Sequence, residues 1–286
     1  MSTGILQYAD YGVGAATTAS LGTVTGGEVG PGVANVTKRK GIGGQSQNVG
    51  GLIEIAGSVD FLPQGTSCLT FINSALRTGY TSPALTGLAI EGGTTDHHAY
   101  LHTGCYISTA RMSCAVNEAF SASVSWMGTG FTRTASPSPN TKQTGATFEW
   151  FLGSVTIDTG TYDVQSWEVE VNNSLRPYSS LDTKSAESKR FPEGINIGSE
   201  VVTCNLVLMS PLDNSTIADL TADSIDVDID VVLVATNGTQ TETITLSDLA
   251  CNTNPMPFAA PDGDVLWNVE LVGDDDNASC ITMAAS

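Results

Sequence analysis

From Met112 to Trp126, apolar and polar residues alternate along the chain. Met112, Cys114, Val116, Phe120, Ala122, Val124 and Trp126 fall on one parity, and Ser113, Asn117, Ser121, Ser123 and Ser125 on the other. A strand sends successive side chains to opposite faces, so this pattern predicts a ribbon with one apolar face and one small, uncharged, wettable face. It is long for a strand, since most run about 5–6 residues. Such a ribbon suits a wall or a lining better than a reaction pocket.

Other segments repeat the device. Ile53, Ile55, Gly57, Val59 and Phe61 share one parity against Glu54, Ser58 and Asp60, and Pro63 ends that strand. Residues 66–77 read as a helix with Thr66 or Ser67 as its cap, Leu69, Ile72, Ala75 and Leu76 at helical spacing, and Gly79 as its stop. A strand near His97–Ile107 is expected to form a hairpin with the long ribbon, and residues 128–146 read as a loop. Phe148, Trp150 and Leu152 start a strand on one parity, Val155 and Ile157 continue it on the other, and Gly153 marks the β-bulge expected at the switch. Trp167, Val169 and Val171 oppose Ser166, Glu168 and Glu170, a long polar loop spans 173–195, and a strand covers 197–209.

Ile225, Val227, Ile229, Val231 and Leu233 alternate with Asp226, Asp228 and Asp230, and Asn237-Gly238 then signals a hairpin turn. After a Pro-rich connector at 255–261, Val265, Trp267, Val269 and Leu271 form the last expected strand, followed by an acidic tail, 273–286. Residues 1–48, rich in Gly, Thr and Ala, read as an extended arm or long loop. The reading is therefore an all-β chain with one flanking helix, an arm over 1–48 and one β domain over 49–286.

Composition narrows the function. The 286 residues carry 30 acidic and 11 basic side chains, a formal net charge of −19. That surface repels phosphate backbones, which argues against affinity for nucleic acid but helps nucleic acid that merely passes by. Seven of the 11 cations fall in two loops: Lys38, Arg39 and Lys40 in the first, and Arg176, Lys184, Lys189 and Arg190 in the loop at 173–195. Solvated loop tips explain this, and so does electrostatic docking onto an acidic neighbouring copy. No run reaches the roughly 18 apolar residues of a membrane span, and the first residues lack the features of a signal peptide.

Catalytic and metal chemistry finds little support. Asp96, His98, Tyr100 and His102 would share a strand face, but paired surface histidines account for them better than a metal does. Asp226, Asp228 and Asp230, like Asp274, Asp275 and Asp276, read as solvated acidic faces rather than calcium loops. Glu168 and Glu170 stand side by side on one strand, not across a cleft as glycosidase carboxylates do. The six cysteines show no CxxC spacing and read as buried free thiols; Cys105 and Cys114 could face each other across a hairpin, but sequence alone does not pair them. The five Asn-x-Ser/Thr sequons reflect the abundance of Ser and Thr. No cofactor is expected.

Taken in order, these features resemble the tail tube proteins of long-tailed phages and related archaeal viruses. "GGLIEIAGSVDFLPQGTSCLTFINSALRTG" is similar to that family's strand-then-helix unit, and "YDVQSWEVEVNNSLRPY" to its central strand before a long exposed loop. "FPEGINIGSEVVTCNLVL" resembles the strand returning from that loop, and "PMPFAAPDGDVLWNVELV" the closing strand. The resemblance implies a β-sandwich or split-barrel subunit whose strands join a multi-subunit β-barrel, in hexameric rings stacked into a tube. It implies a virion protein assembled in the host cytoplasm, with itself, tape-measure and tail terminator proteins as partners, DNA passing through without specific binding, and no membrane. Glu54, Asp60, Asn117, Glu168 and Glu170 are then the lumen-facing candidates, with each parity open to inversion by a register slip. The seven loop cations are the candidates for docking between subunits. Another virion component (decoration protein, fibre or tail terminator) and a carbohydrate-binding β-sandwich remain as alternative readings.

Overall fold

The computed structural model describes residues 4–10, 19–40, 46–77, 84–94, 99–134, 145–158, 160–179, 190–210, 229–253, 265–274 and 280–285. In chain order the strands begin with β1 (Gly4–Asp10), β2 (Ala19–Ser20), β3 (Thr23–Val29), β4 (Val33–Lys40) and β5 (Ser46–Leu62), followed by helix α1 (Thr66–Asn73). Then come β6 (Leu88–Thr94), β7 (Ala99–Ala115), β8 (Ser121–Gly128), β9 (Gly130–Thr134), β10 (Glu149–Ile157), β11 (Gly160–Thr161) and β12 (Val164–Asn172). The remainder are β13 (Arg176–Tyr178), β14 (Gly194–Asn196), β15 (Val201–Ser210), β16 (Ile229–Thr236), β17 (Thr241–Thr253), β18 (Val265–Asp274) and β19 (Ile281–Ala285). The described chain is thus mostly β with one short helix, and all but β13 and β14 belong to one large open antiparallel sheet.

Its centre runs β3–β5–β8–β7–β12–β15–β18. Residues opposite each other in an antiparallel pair share a face. Phe61, Ala122, Met112, Val169, Cys204 and Leu271 stand in one such row and are all buried. Burying the larger of these, Phe61, Met112, Val169 and Leu271, contributes about 1.5–3 kcal/mol each, which is why the alternation holds across six strands. Gly57 interrupts the apolar stripe of β5 because the ring of Trp126, itself buried, occupies the space a side chain would need.

Long strands carry the chain between parts of the sheet. β7 pairs with β8 and β12 at one end and with β6 and β9 at the other. β17 pairs with β16 and β19, bulges near Asp248 (φ 58), and ends against β18. The inner faces of these parts and helix α1 meet in one hydrophobic cluster, which includes Leu69, Phe71, Trp126, Leu206, Leu233 and Leu246.

Several expectations change. The alternation at 112–126 belongs to two strands, not one: β7 ends at Ala115, Glu118 N–H returns to Ala115 O at 2.9 Å, and β8 starts at Ser121. Ser113 pairs with Ser121 and Met112 with Ala122, so like parities share a face and the pattern runs through the turn unbroken. Cys105 and Cys114 therefore lie on the same strand, β7, and do not face each other across a hairpin. None of the six cysteines is joined in a disulfide, and burial pushes the Cys204 thiol up to about 12 and Cys114 to about 11.

The described parts of 1–48, expected as arm or loop, are strands. β1 pairs along its whole length with β6 and buries Leu6 and Tyr8, while β3 and β4 pair with β5. The loop expected over 128–146 contains β9, the loop at 173–195 has a two-stranded stem of β13 and β14, and the strand expected from 197 begins at Val201. Val265–Asp274 is not the last strand, because β19 follows and pairs with β17. Helix α1 starts after Gly65 with no side-chain cap, so neither Thr66 nor Ser67 caps it. Gly79 and the connector at 255–261 lie outside the described residues. The strand over 52–61, the strand over Trp167–Val171, the bulge beside Gly153 and the turn at Asn237-Gly238 are where the pattern placed them.

Candidate functional site

The outer face of the central sheet gathers small polar side chains into rows. Ser58, Ser125, Thr109 and Asn172 form one row. Asp60, Ser123, Arg111, Glu170 and Thr203 form the next, and Ser121, Ser113, Glu168, Asn205 and Glu270 a third. The side chains also bond sideways. Ser123 Oγ donates to Asp60 Oδ1 at 2.6 Å, and the hydroxyls of Ser113 and Ser121 lie 3.0 Å apart. Arg111 is the one cation in these rows, and its Nη2 sits 2.5 Å from Glu168 Oε2. Glu170 stands directly opposite Arg111 across the β7–β12 pair, so carboxylates outnumber the guanidinium locally.

Four of the five lumen candidates, Glu54, Asp60, Glu168 and Glu170, share this face by strand parity and register. Asn117 does not: it lies exposed in the turn after β7, with φ 70, at the end of the sheet. Such a surface offers hydroxyls, amides and carboxylates, with its cation already engaged. It has no unpaired cluster of positive charge to hold a polyanion.

The histidine reading dissolves at His102, which is fully buried. Its Nε2 bonds Gly30 O at 2.8 Å and its Nδ1 accepts from Trp126 Nε1 at 3.1 Å, so both ring nitrogens are engaged. Burial also holds its pKa below the usual histidine value, which fits the neutral tautomer this network requires. Asp96, His97 and His98 lie outside the described residues, as do Asp226, Asp228, Asp275 and Asp276. Asp230 accepts the Asp248 N–H at 3.3 Å and organises the end of β16 and β17. Among the described residues, no three or more His, Cys, Asp or Glu gather as a metal site requires. No described helix is long and apolar enough to cross a membrane.

The family model described as phage tail tube protein matches residues 3–272, nearly the whole chain. The chain belongs to the phage tail tube protein family. No curated protein matches it. Family membership makes it a structural protein of the virion tail, not an enzyme, and implies self-assembly within the tail.

The docking candidates of this tail tube chain divide by position. Lys38, Arg39 and Lys40 lie in strand β4, opposite Asn48, Gln47 and Ser46, rather than in a loop. Arg176 is exposed in β13, and exposed Arg190 reaches Gly51 O from Nε at 3.5 Å. Lys184 and Lys189 lie outside the described residues.

Residues absent from the sequence reading hold the base of the β13–β14 arm. Arg77, just past helix α1, places Nε 3.5 Å from Glu200 Oε2 and 3.4 Å from Asn173 Oδ1, and its Nη2 donates to Gly198 O. Asn173 Nδ2 donates to Ala75 O at 2.8 Å and to Ile107 O at 3.1 Å. Asn173 precedes the arm, and Gly198 and Glu200 follow it, so the network fixes where both arm strands leave the body. No local pattern signals it, because Arg77 meets Asn173 and Gly198 across 96 and 121 residues of chain.

Proposed function

We propose that the chain forms closed rings, hexameric as in the family it resembles, whose stacks make a tube for DNA passage. The observation that carries this reading is the central sheet itself, with one face mainly polar over β5, β8, β7 and β12 and its margins open. On β15 and β18 that face also carries apolar Val201, Val207, Met209 and Leu266. Among the described residues, β3 has a strand partner only at β5, and β18 over 265–269 only at β15. Open strand margins invite pairing with other chains, and closing a barrel removes them. Copies placed side by side satisfy both margins and continue the polar face from subunit to subunit. The seven central strands alternate in direction, so the first and last run the same way. A seam between copies related by rotation is then a parallel pair, slightly weaker per residue than an antiparallel one.

In this reading the polar face lines the bore. A phosphate polyanion slides past carboxylates, hydroxyls and one neutralised arginine without finding a site to hold it. The long loop at 173–195 and its cations, with Lys38, Arg39 and Lys40 of β4, bridge subunits or rings, and tape-measure and terminator proteins occupy the interior and the end of the tube.

Electron microscopy of the purified full-length chain tests the reading. Hollow tubes built of stacked rings are expected. A chain that stays monomeric at high concentration and forms no tube overturns it. Reversing Lys184, Lys189 and Arg190 to Glu is expected to shorten the tubes, and undiminished tubes would remove those cations from the contact.

A further inference from the structure

We infer that a groove beneath the start of β10 receives the β13–β14 arm of a second copy stacked head to tail. This rests on the reading that copies stack, and it names the receiving surface.

The groove begins with a bulge. Glu149 pairs with Thr236 and Ser154 with Val234, so residues 150–153 stand where the partner strand has only Ala235. The extra length throws Trp150, Phe151 and Leu152 outward, 38%, 58% and 40% exposed. The chain returns at Gly153, where a Cβ would sit 2.6 Å from Val234 O, so the close approach that closes the bulge admits only glycine. Three consecutive large apolar residues held in solvent are costly for an isolated subunit and common at an interface.

Beside the bulge lies a cavity of about 470 Å³, walled in part by Trp150, Phe151, Val116, Trp167 and Met209. Its surroundings are acidic, with Glu118, Glu149 and Asp163 all exposed. The groove meets β12 at its first residues, whereas the arm leaves the body just past Asn172, the other end of the same strand. At about 3.3 Å per residue, these nine residues separate groove and arm by roughly 30 Å along the strand direction.

The arm carries complementary chemistry: exposed Arg176 and Arg190 with Tyr178, 44% exposed. Shifting one copy along the strand direction therefore brings a basic, aromatic arm to an acidic, aromatic groove. Surfaces at opposite poles that fit each other form a head-to-tail contact, which repeats without closing and grows a column. Tyrosine, tryptophan and arginine are also the residues that dominate binding energy at interfaces.

The test uses two full-length variants, Phe151→Glu in the groove and Arg176→Glu with Tyr178→Ala in the arm, with thermal unfolding confirming that both fold. Each alone is expected to raise the concentration needed for tube growth by about tenfold or more, leaving single copies or single rings. Mixed one to one, they are expected in sedimentation velocity to pair once and stop, because one supplies only a working arm and the other only a working groove. Tubes from Phe151→Glu at wild-type concentration would overturn the inference while leaving the stacked tube intact. So would two folded, blocked variants that fail to pair. If the wild-type chain forms no tube, the reading of stacked copies fails first.

Discussion

Two arginine–glutamate pairs of identical chemistry occupy opposite extremes of burial in this tail tube protein. Arg111 and Glu168 face outward from the central sheet, their side chains 53% and 26% exposed. Arg77 and Glu200 are enclosed at the base of the arm, at 4% and 1%. Water screens the first pair, so its attraction adds about 0.2–1 kcal/mol, and its consequence is that the one arginine of an acidic face is matched by a carboxylate. The second pair has lost its water and depends on its partners for every polar contact. Its consequence is geometric, because it sets where the arm departs.

The sharpest way to break the comparison is Arg77→Met. Leaving the Glu200 carboxylate buried beside an apolar chain is expected to cost about 3–5 kcal/mol in urea unfolding. A loss no larger than that of an exposed pair would show that the enclosed network does not hold the arm.

Glu242 sharpens the comparison from the other side, as a buried carboxyl. It is fully enclosed, neither carboxyl oxygen has a hydrogen-bond partner among the described residues, and burial pushes its pKa from 4.5 up to about 7. A folded-state value above the unfolded one means that protonation favours folding. The contribution is full below about 4.5 and is lost as pH rises through about 7. Glu242→Gln is therefore expected to match the wild type near pH 4 and to exceed it by a few kcal/mol at pH 8 in paired thermal melts. A gap that does not change with pH would contradict this.

Smaller stability effects are expected on the outer face, where function rather than folding responds. Replacing Glu54, Glu168 and Glu170 with Lys is expected to leave assembly intact and slow DNA ejection from particles, and ejection at normal speed would count against an anion-repelling bore. Smallest of all, Arg111→Gln is expected to change stability by less than about 1 kcal/mol in the same unfolding assay. A larger loss would place that pair among the structural ones.

Alternation along the chain was enough to find the apolar and polar faces of the central sheet, because burial enforces period two wherever one side meets the core. The same regularity hid the turn at 116–120, since the register of β7 and β8 keeps like parities on one face. The parity switch at Gly153 located the bulge, but not that Trp150 and Leu152 would face solvent rather than core. β1 was illegible because the Gly- and Thr-rich segment around it dilutes the signal of Leu6 and Tyr8. The Arg77 network was illegible for a different reason: its members are single polar residues joined only by the folded chain.

The central claim is that the hydroxyl- and carboxylate-bearing side of the central sheet becomes the inner wall of a shared cylinder. A cryo-electron microscopy reconstruction of tubes grown from the full-length chain tests it most directly. The account expects Asp60, Glu168 and Glu170 around the bore, with strands continuous from one copy to the next. A reconstruction that turns that side outward, or buries it between rings, would contradict it.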